Sequence, residues 1–227
     1  MGENTRSEER PLEAHPVHSR RGFLRSMGLG TVAMAGASGC SVLNRIDSRT
    51  LDFNSDFGVL NYAYSLEVME SDFYTRVVNS PPRDLRPGEL EVLRDIWGHE
   101  VSHRKFFRRA IGPFKIDVPD RDFSSVNFSS RESVLQTAQM FENNGTAAYN
   151  GAGKYLSLPE FLTIAGKIVS VEARHGAVLR DLLFDSPRAF ADDTLVDERG
   201  MDRALEPREM LDRVAPFFKQ RLRVVGA

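Results

Sequence analysis

Cysteine is almost absent from this chain, which contains a single one, Cys40, among its 227 residues. A lone cysteine excludes an intrachain disulfide, and it also excludes zinc or iron–sulfur sites that are built from several thiolates. Any metal ion must therefore be held by carboxylates and imidazoles. Imidazoles are scarce as well, because the chain has only five histidines, and His15 and His18 lie near the N-terminus.

The chain also lacks a strong excess of either charge. It has 30 lysines and arginines against 32 aspartates and glutamates, which gives a formal net charge of −2. Charges of both signs are interspersed, so no basic surface of the kind that binds nucleic acid is expected. Apolar residues make up 41% of the sequence, which is enough for one domain with a buried core.

The apolar run near the N-terminus is too short to cross a membrane. It extends from Met27 to Ala37, 11 residues, whereas a spanning helix needs about 20. The basic segment Ser19-Arg20-Arg21-Gly22-Phe23-Leu24-Arg25 precedes it, and this order of a positive and then an apolar segment is typical of an export signal. The segment resembles a twin-arginine translocation signal. That resemblance implies that the folded protein is exported to the periplasm or the cell envelope.

Two kinds of processing fit the end of this signal. Ala35-Gly36-Ala37 matches a cleavage site with small residues at the first and third positions. Ala37-Ser38-Gly39-Cys40 resembles a lipoprotein box, although Ala37 stands where a larger aliphatic residue is more usual. In the second case Cys40 would be lipidated and would attach the protein to a membrane. The sequence leaves both open and predicts an N-terminal disordered stretch and signal over 1–40, with a linker over 41–55.

Helical periodicity dominates the rest of the chain, and strand signals are weak because no sustained alternation of apolar and polar residues occurs. Four segments show a 3.6-residue period, and Ser130 and Pro159 are favourable first residues for the third and the fourth. These segments run from about 56 to 79, 87 to 111, 130 to 151 and 159 to 184. A fifth, short piece covers about 207 to 222.

The connections between these segments predict the fold. The turns after the first and third segments are short, whereas the connection over 112–130 is long. This layout is typical of ferritin-like bundles with one crossover. The sequence therefore predicts an all-α four-helix bundle over 56–184, with one long crossover between helices 2 and 3. A loop and a short C-terminal helix are expected over 185–227.

Each of the four helical segments places a glutamate in the middle of its apolar stripe: Glu67, Glu100, Glu142 and Glu172. Burying an ionised carboxylate without compensation costs several kcal/mol, so four such groups require cations. Two of them are followed three residues later by a histidine, His103 and His175. Residues three apart share a helix face, so each pair offers a carboxylate and an imidazole to the same point in the core.

The spacing of these residues indicates two similar helical hairpins. Glu67 precedes Glu100 by 33 residues, and Glu142 precedes Glu172 by 30. Hairpins related by a pseudo-twofold axis would bring all six groups together, and this is the ligand set of di-iron and di-manganese carboxylate bundles. The sequence therefore predicts a two-metal site of Glu67, Glu100, His103, Glu142, Glu172 and His175.

On these residues the chain resembles the ferritin-like superfamily over about 56–184. More narrowly, it is similar to exported ferritin-like proteins with a twin-arginine signal, a group related to desiccation-associated plant proteins. The resemblance implies two iron or manganese ions, for which oxygen and imidazole ligands are suitable. It implies that Glu100 and Glu172 bridge the ions. Glu67 and Glu142 would each bind mainly one ion, and His103 and His175 would each cap one.

Three neighbouring residues each have two alternative roles. Glu70, one turn after Glu67, is either an additional ligand or a surface glutamate, and the surface position is favoured. His99 points about 100° away from Glu100 on an ideal helix, so it is expected to support a ligand or to be exposed rather than to bind metal. Tyr149 lies on the same helix face as Glu142 and either hydrogen-bonds a ligand or belongs to the core.

Several functions fit such a site, and the sequence does not assign catalytic residues. A close pair of iron or manganese ions can react with dioxygen or peroxide, so ferrous iron oxidation, peroxide disproportionation and oxidation of an organic substrate are all compatible. The expected partner is a small-molecule oxidant or a metal ion, in a protective role. Alternatively, the protein is a structural or stress-protection protein in which the metal pair only stabilises the core. Storage in a cage is a weaker option, since the sequence gives no evidence on oligomeric state.

Overall fold

The computed structural model describes residues 49–227, and the structural statements below concern that part of the chain. The predicted export signal, the cleavage site at Ala37 and the candidate lipidation site Cys40 lie outside the described residues. Within 49–227, none of the helices is both long and apolar enough to cross a membrane.

Four long helices form the body of the protein: α1 (Asp56–Asn79), α2 (Glu89–Ile111), α3 (Arg131–Ala152) and α4 (Pro159–Leu183). Helix α1 packs along α2, and α3 packs along α4, while α1 also contacts α3 and α2 contacts α4. The long connection between α2 and α3 is the predicted crossover. The all-α bundle expected from the periodicity is therefore confirmed.

The ends of these helices follow from local chemistry. The Ser130 hydroxyl accepts a hydrogen bond from the Ser133 backbone amide at 3.3 Å, as expected of an N-cap, and Pro159 occupies the first turn of α4. Helix α2 begins two residues later than predicted. The reason is Gly88, whose φ of 88° is left-handed and cannot continue a helix.

The C-terminal helix is shorter than predicted. Helix α5 covers only Pro207–Val214 and is followed by a single 3₁₀ turn, Ala215–Phe217. Pro216 has no backbone N–H to donate and its ring crowds the preceding turn, which explains why the helix does not extend to residue 222.

A small parallel sheet joins the two ends of the described chain. Strand β1 (Thr50–Asp52) pairs with β2 (Arg223–Val225), with Leu51 opposite Val224. Strand β1 lies inside the range expected to be a linker. Three-residue strands are too short to show an alternating pattern, so no local signal in the sequence predicts this pairing.

Helix α1 is buried around almost its whole circumference. Every residue from Gly58 to Ser71 is buried, as expected of a helix that is covered on all sides by other elements. This burial corrects the favoured position of Glu70. Its side chain is not on the surface, because α1 has no solvent-facing side at that level, and Glu70 is only 2% exposed.

A buried ion pair fixes one end of the bundle. Arg131, the first residue of α3, donates from Nε to the Glu89 carboxylate at 2.8 and 2.9 Å, and Glu89 is the first residue of α2. The same guanidinium donates to the Leu182 carbonyl at 2.7 Å, near the end of α4. Three helices are therefore tied together by charge-assisted hydrogen bonds, which holds the two hairpins in register.

Candidate metal centre

The structure brings the six predicted residues together in the middle of the bundle. They form two overlapping groups, in each of which the candidate ligand atoms lie within 4.8 Å of one another. One group is Glu67, Glu100, His103 and Glu172, and the other is Glu100, Glu142, Glu172 and His175. Glu100 and Glu172 belong to both groups, so the arrangement has the form of two adjacent sites with two shared carboxylates.

The two imidazoles face the carboxylates through the same ring nitrogen. His103 Nδ1 lies 3.0 Å from Glu172 Oε1, 3.4 Å from Glu67 Oε2 and 3.6 Å from Glu100 Oε2. His175 Nδ1 lies 3.1 Å from both Glu100 Oε1 and Glu142 Oε2. The three-residue spacing of each Glu–His pair explains this, because it places both side chains on the inner face of the helix.

Buried polar atoms without hydrogen-bond partners are concentrated here. Among the described residues, eight buried side-chain nitrogen or oxygen atoms have no partner, and seven of them belong to this cluster. These seven are Glu67 Oε2, Glu70 Oε1, both oxygens of Glu100, both oxygens of Glu172 and His103 Nδ1. Folded proteins leave few such groups unsatisfied, since each costs about 1–3 kcal/mol. The cluster could therefore bind metal ions, which would satisfy these atoms.

Two tyrosines hold the outer glutamates from opposite sides. Tyr74 of α1 donates to Glu142 Oε1 at 2.5 Å, and Tyr149 of α3 donates to Glu67 Oε1. In both glutamates the second oxygen, Oε2, is the one that faces a histidine. Each tyrosine thus orients a carboxylate so that its other oxygen points into the cluster.

The comparison with known families agrees with this geometry. A family model described as a ferritin-like domain matches residues 55–185, more than half of the chain. The chain belongs to the ferritin-like domain family. No curated protein matched the chain.

The ferritin-like match covers the whole bundle and the whole cluster. It begins one residue before α1 and ends two residues after α4. Helix α5 and the small sheet lie outside the matched range. The carboxylate–histidine cluster is therefore a feature of the ferritin-like domain, and the C-terminal segment is an addition to it.

Tyr149 contacts the candidate ligand Glu67, which is one of the two roles expected for it. The role of Tyr74 was not predicted from the sequence. The sequence contained a signal for it, because Tyr74 follows Glu67 by seven residues and Tyr149 follows Glu142 by seven. Seven residues are about two helical turns, so Tyr74 shares a helix face with Glu67, and Tyr149 shares one with Glu142.

His99 supports the cluster from its surface. The side chain is exposed, and its Nδ1 lies 2.9 Å from His175 Nε2 with the two rings stacked at an interplanar angle of 7°. This contact engages the outer nitrogen of His175 and leaves Nδ1 to face Glu100 and Glu142. His99 therefore positions His175, in agreement with the expectation that it is not itself a ligand.

The electrostatics of the ferritin-like cluster show how it balances charge without metal. Burial and the neighbouring Glu100 raise the pKa of Glu67 to about 8, and burial with the surrounding carboxylates raises the pKa of Glu172 well above its usual range. Burial alone would raise the pKa of Glu100, but the adjacent imidazoles of His103 and His175 outweigh it and lower this pKa to about 2.

Both histidines shift in the opposite direction. Burial would lower the pKa of His175, but the carboxylates of Glu100 and Glu142 prevail and raise it to about 9. The pKa of His103 is raised further still, despite burial, by Glu100, Glu172 and Glu67. At neutral pH the metal-free cluster therefore holds protons at positions that metal ions would take.

Proposed function

We propose that this ferritin-like protein binds two iron or manganese ions in the central cluster and uses them for redox chemistry with dioxygen. The observation that carries the proposal is the convergence of ligand-type side chains from all four helices, where seven buried atoms from three of these helices have no hydrogen-bond partner. Carboxylate and imidazole ligands are suitable for both metals. When bound, the two ions would supply a centre that can be oxidised and reduced reversibly beside a bound small molecule.

The geometry suggests a role for each residue. Both carboxylate oxygens of Glu100 and of Glu172 lack a hydrogen-bond partner, which would allow each carboxylate to be shared between two ions. Glu67 and Glu142 each give one oxygen to a tyrosine and keep the other for the centre. His103 and His175 would each complete one of the two positions through Nδ1.

Removing a tyrosine hydroxyl is expected to weaken metal binding without removing a ligand. In Tyr149→Phe the hydrogen bond to Glu67 is lost, so the carboxylate is no longer fixed in its orientation. Loss of such an outer partner typically costs about 10–100-fold in metal affinity. Competition titration against a chelator measures the change, and Tyr74→Phe should behave alike. Tyr155→Phe, whose hydroxyl contacts Glu206 on the surface, is the matched control and should bind like the unchanged protein.

Metal binding is also expected to release protons. Because the pKa of His175 is about 9 and that of His103 is higher, both imidazoles are protonated at pH 7 and must lose a proton to bind metal. The overall constant for binding two ions should therefore rise with pH by about two or more orders of magnitude per pH unit between pH 6 and 8, which is about one order or more for each ion. Calorimetric titration in buffers of different ionisation enthalpy counts the protons. Binding that does not depend on pH would show that the histidines are not ligands.

A small apolar cavity supports dioxygen as the oxidant. Its volume is about 20 Å³, and its mostly apolar lining includes Tyr62 and Tyr149. Tyr149 is the residue that donates to Glu67, so the cavity adjoins one edge of the cluster. An apolar lining offers water few hydrogen-bond partners, whereas a small apolar molecule needs none. Peroxide and ferrous iron would have to leave their hydration shells to enter it.

Filling this cavity is expected to slow the reaction with dioxygen selectively. Ala63→Val adds two methyl groups to the lining, which should lower the rate at which dioxygen oxidises the reduced, metal-loaded protein. Oxidation by hydrogen peroxide should keep its rate. Stopped-flow absorbance measures both reactions, with Ala110→Val as the control because Ala110 is half-buried but does not line the cavity. Equal effects on both oxidants would contradict an apolar route.

The biological setting that we propose is protection in an exported protein. The twin-arginine-type segment at residues 19–25 and the small residues before Cys40 support export to the periplasm or cell envelope, with lipid attachment as an alternative to cleavage. If the loaded protein oxidises neither ferrous iron nor any substrate and consumes no dioxygen or peroxide, the metal pair would serve only to stabilise the fold, as in a structural stress-protection protein.

A further inference from the structure

The two hairpins of the bundle differ at one position in the centre. Glu70 follows Glu67 by three residues, and Gly145 follows Glu142 by three, so the two occupy equivalent places in the repeat. The reciprocal contacts of Tyr74 with Glu142 and of Tyr149 with Glu67 show that α1 and α3 run in opposite directions. Glu70 and Gly145 therefore face each other at the middle of the α1–α3 interface.

Gly145 provides the space that the Glu70 carboxylate occupies. A Cβ atom at Gly145 would lie 3.2 Å from Glu70 Oε1 and 3.6 Å from Glu172 Oε2. A side chain there would press on the Glu70 carboxylate, since a separation of 3.2 Å is tighter than nearly all Cβ contacts. The α1–α3 interface thus has room for the Glu70 carboxylate because the residue opposite it, Gly145, has no side chain.

No contact among the described residues explains why the Glu70 carboxylate is buried. It is 2% exposed, and its Oε1 has no hydrogen-bond partner. Glu70 Oε1 and the unpartnered Glu172 Oε2 lie near the same point beside Gly145, so the Glu70 carboxylate is directed toward the cluster. A carboxylate that only packs in a core would leave this oxygen unsatisfied at a cost of about 1–3 kcal/mol.

We propose that Glu70 is a fifth carboxylate of the metal centre, contributed from the α1–α3 side, and that it stabilises the oxidised ions. The inference rests on the proposed two-metal function. Two divalent ions carry four positive charges, which Glu67, Glu100, Glu142 and Glu172 already neutralise when ionised. A fifth carboxylate leaves a surplus negative charge, and a buried surplus favours the more positive, oxidised metal pair.

The test compares Glu70→Gln with Glu198→Gln, which removes the same charge from an exposed loop. In protein loaded with iron, spectroelectrochemical titration measures the reduction potential, and chelator competition measures affinity. Glu70→Gln should still bind two ions, because the six other residues remain, but with affinity for at least one ion reduced tenfold or more. The reduced form should be favoured at least tenfold, a shift of about 59 mV for a one-electron couple. Glu198→Gln should match the unchanged protein.

A second variant acts on Glu70 without altering its charge. Gly145→Ala places a methyl group against the carboxylate, while alanine stabilises a helix by about 1 kcal/mol relative to glycine. The metal-free variant should therefore fold well, yet its affinity and potential should move in the same direction as those of Glu70→Gln. In the double variant the two effects should not add, because both act through the same carboxylate.

The possible outcomes separate this inference from the proposed function. If the unchanged protein binds no metal, the two-metal function itself fails. If it binds two ions and Glu70→Gln keeps the same affinity and potential as Glu198→Gln, only the role of Glu70 is overturned. Full addition of the Glu70→Gln and Gly145→Ala effects would also contradict it, since the glycine would then act independently of the carboxylate.

Discussion

Loading the purified protein with iron(II) or manganese(II) is expected to raise its free energy of unfolding by about 4 kcal/mol for each bound ion, when the free metal concentration is about 1,000 times the dissociation constant. The reason is the ligand geometry. The candidate ligands come from all four helices, and in the metal-free state seven of their buried atoms have no hydrogen-bond partner. Ions that bind these atoms stabilise only the folded chain, because an unfolded chain cannot bring together residues from 67 to 175.

Chemical denaturation with and without metal measures this gain, under anaerobic conditions so that the oxidation state is fixed. Magnesium is the matched control, since it prefers an octahedral shell of oxygens that includes several waters and gains little from two buried imidazoles. An unfolding free energy that does not change with iron or manganese, or that rises equally with magnesium, would contradict a specific centre.

Replacing Glu172 with glutamine is expected to reduce metal affinity by more than about 100-fold, which is the upper end of the loss seen when a residue that only supports a ligand is removed. The stability of the metal-free fold should not change. Glu172 belongs to both candidate positions, and both of its oxygens are free. Its pKa is raised well above the usual range by burial and by Glu100 and Glu142. Burial therefore disfavours the ionised form of the metal-free side chain, and glutamine has nearly the same shape without charge.

This pair of effects distinguishes a ligand from a structural residue. Thermal unfolding of the metal-free variant should match that of the unchanged protein, whereas the stabilisation by metal should largely disappear. Glu160→Gln, an exposed change on the same helix, should leave both measurements unaltered. A large loss of stability in metal-free Glu172→Gln would assign this residue to the fold, and full retention of metal would remove it from the centre.

The sequence predicted those parts of the structure that depend on local periodicity. The four helices follow from a 3.6-residue pattern, and the pairing of Glu100 with His103 and of Glu172 with His175 follows from their three-residue spacing. The convergence of the six residues required only the assumption of two similar hairpins. The distances around His103 and His175 agree with that assumption.

Features that depend on distant parts of the chain could not be predicted in the same way. Glu70 is buried because other elements cover α1 on every side at that level, and no pattern within α1 indicates this. The hydrogen bond from Tyr74 to Glu142 joins residues 68 positions apart. Pairing of β1 with β2 joins the two ends of the described chain, and three-residue strands contain too few positions to show a period.

Elemental analysis of protein that has been purified without added metal tests the central claim most directly. The proposed centre predicts about two equivalents of iron plus manganese per chain, and a near-complete loss of both in a Glu100→Ala/Glu172→Ala double variant that still shows a helical spectrum. A content below one equivalent that is unchanged in the double variant would contradict the two-metal centre.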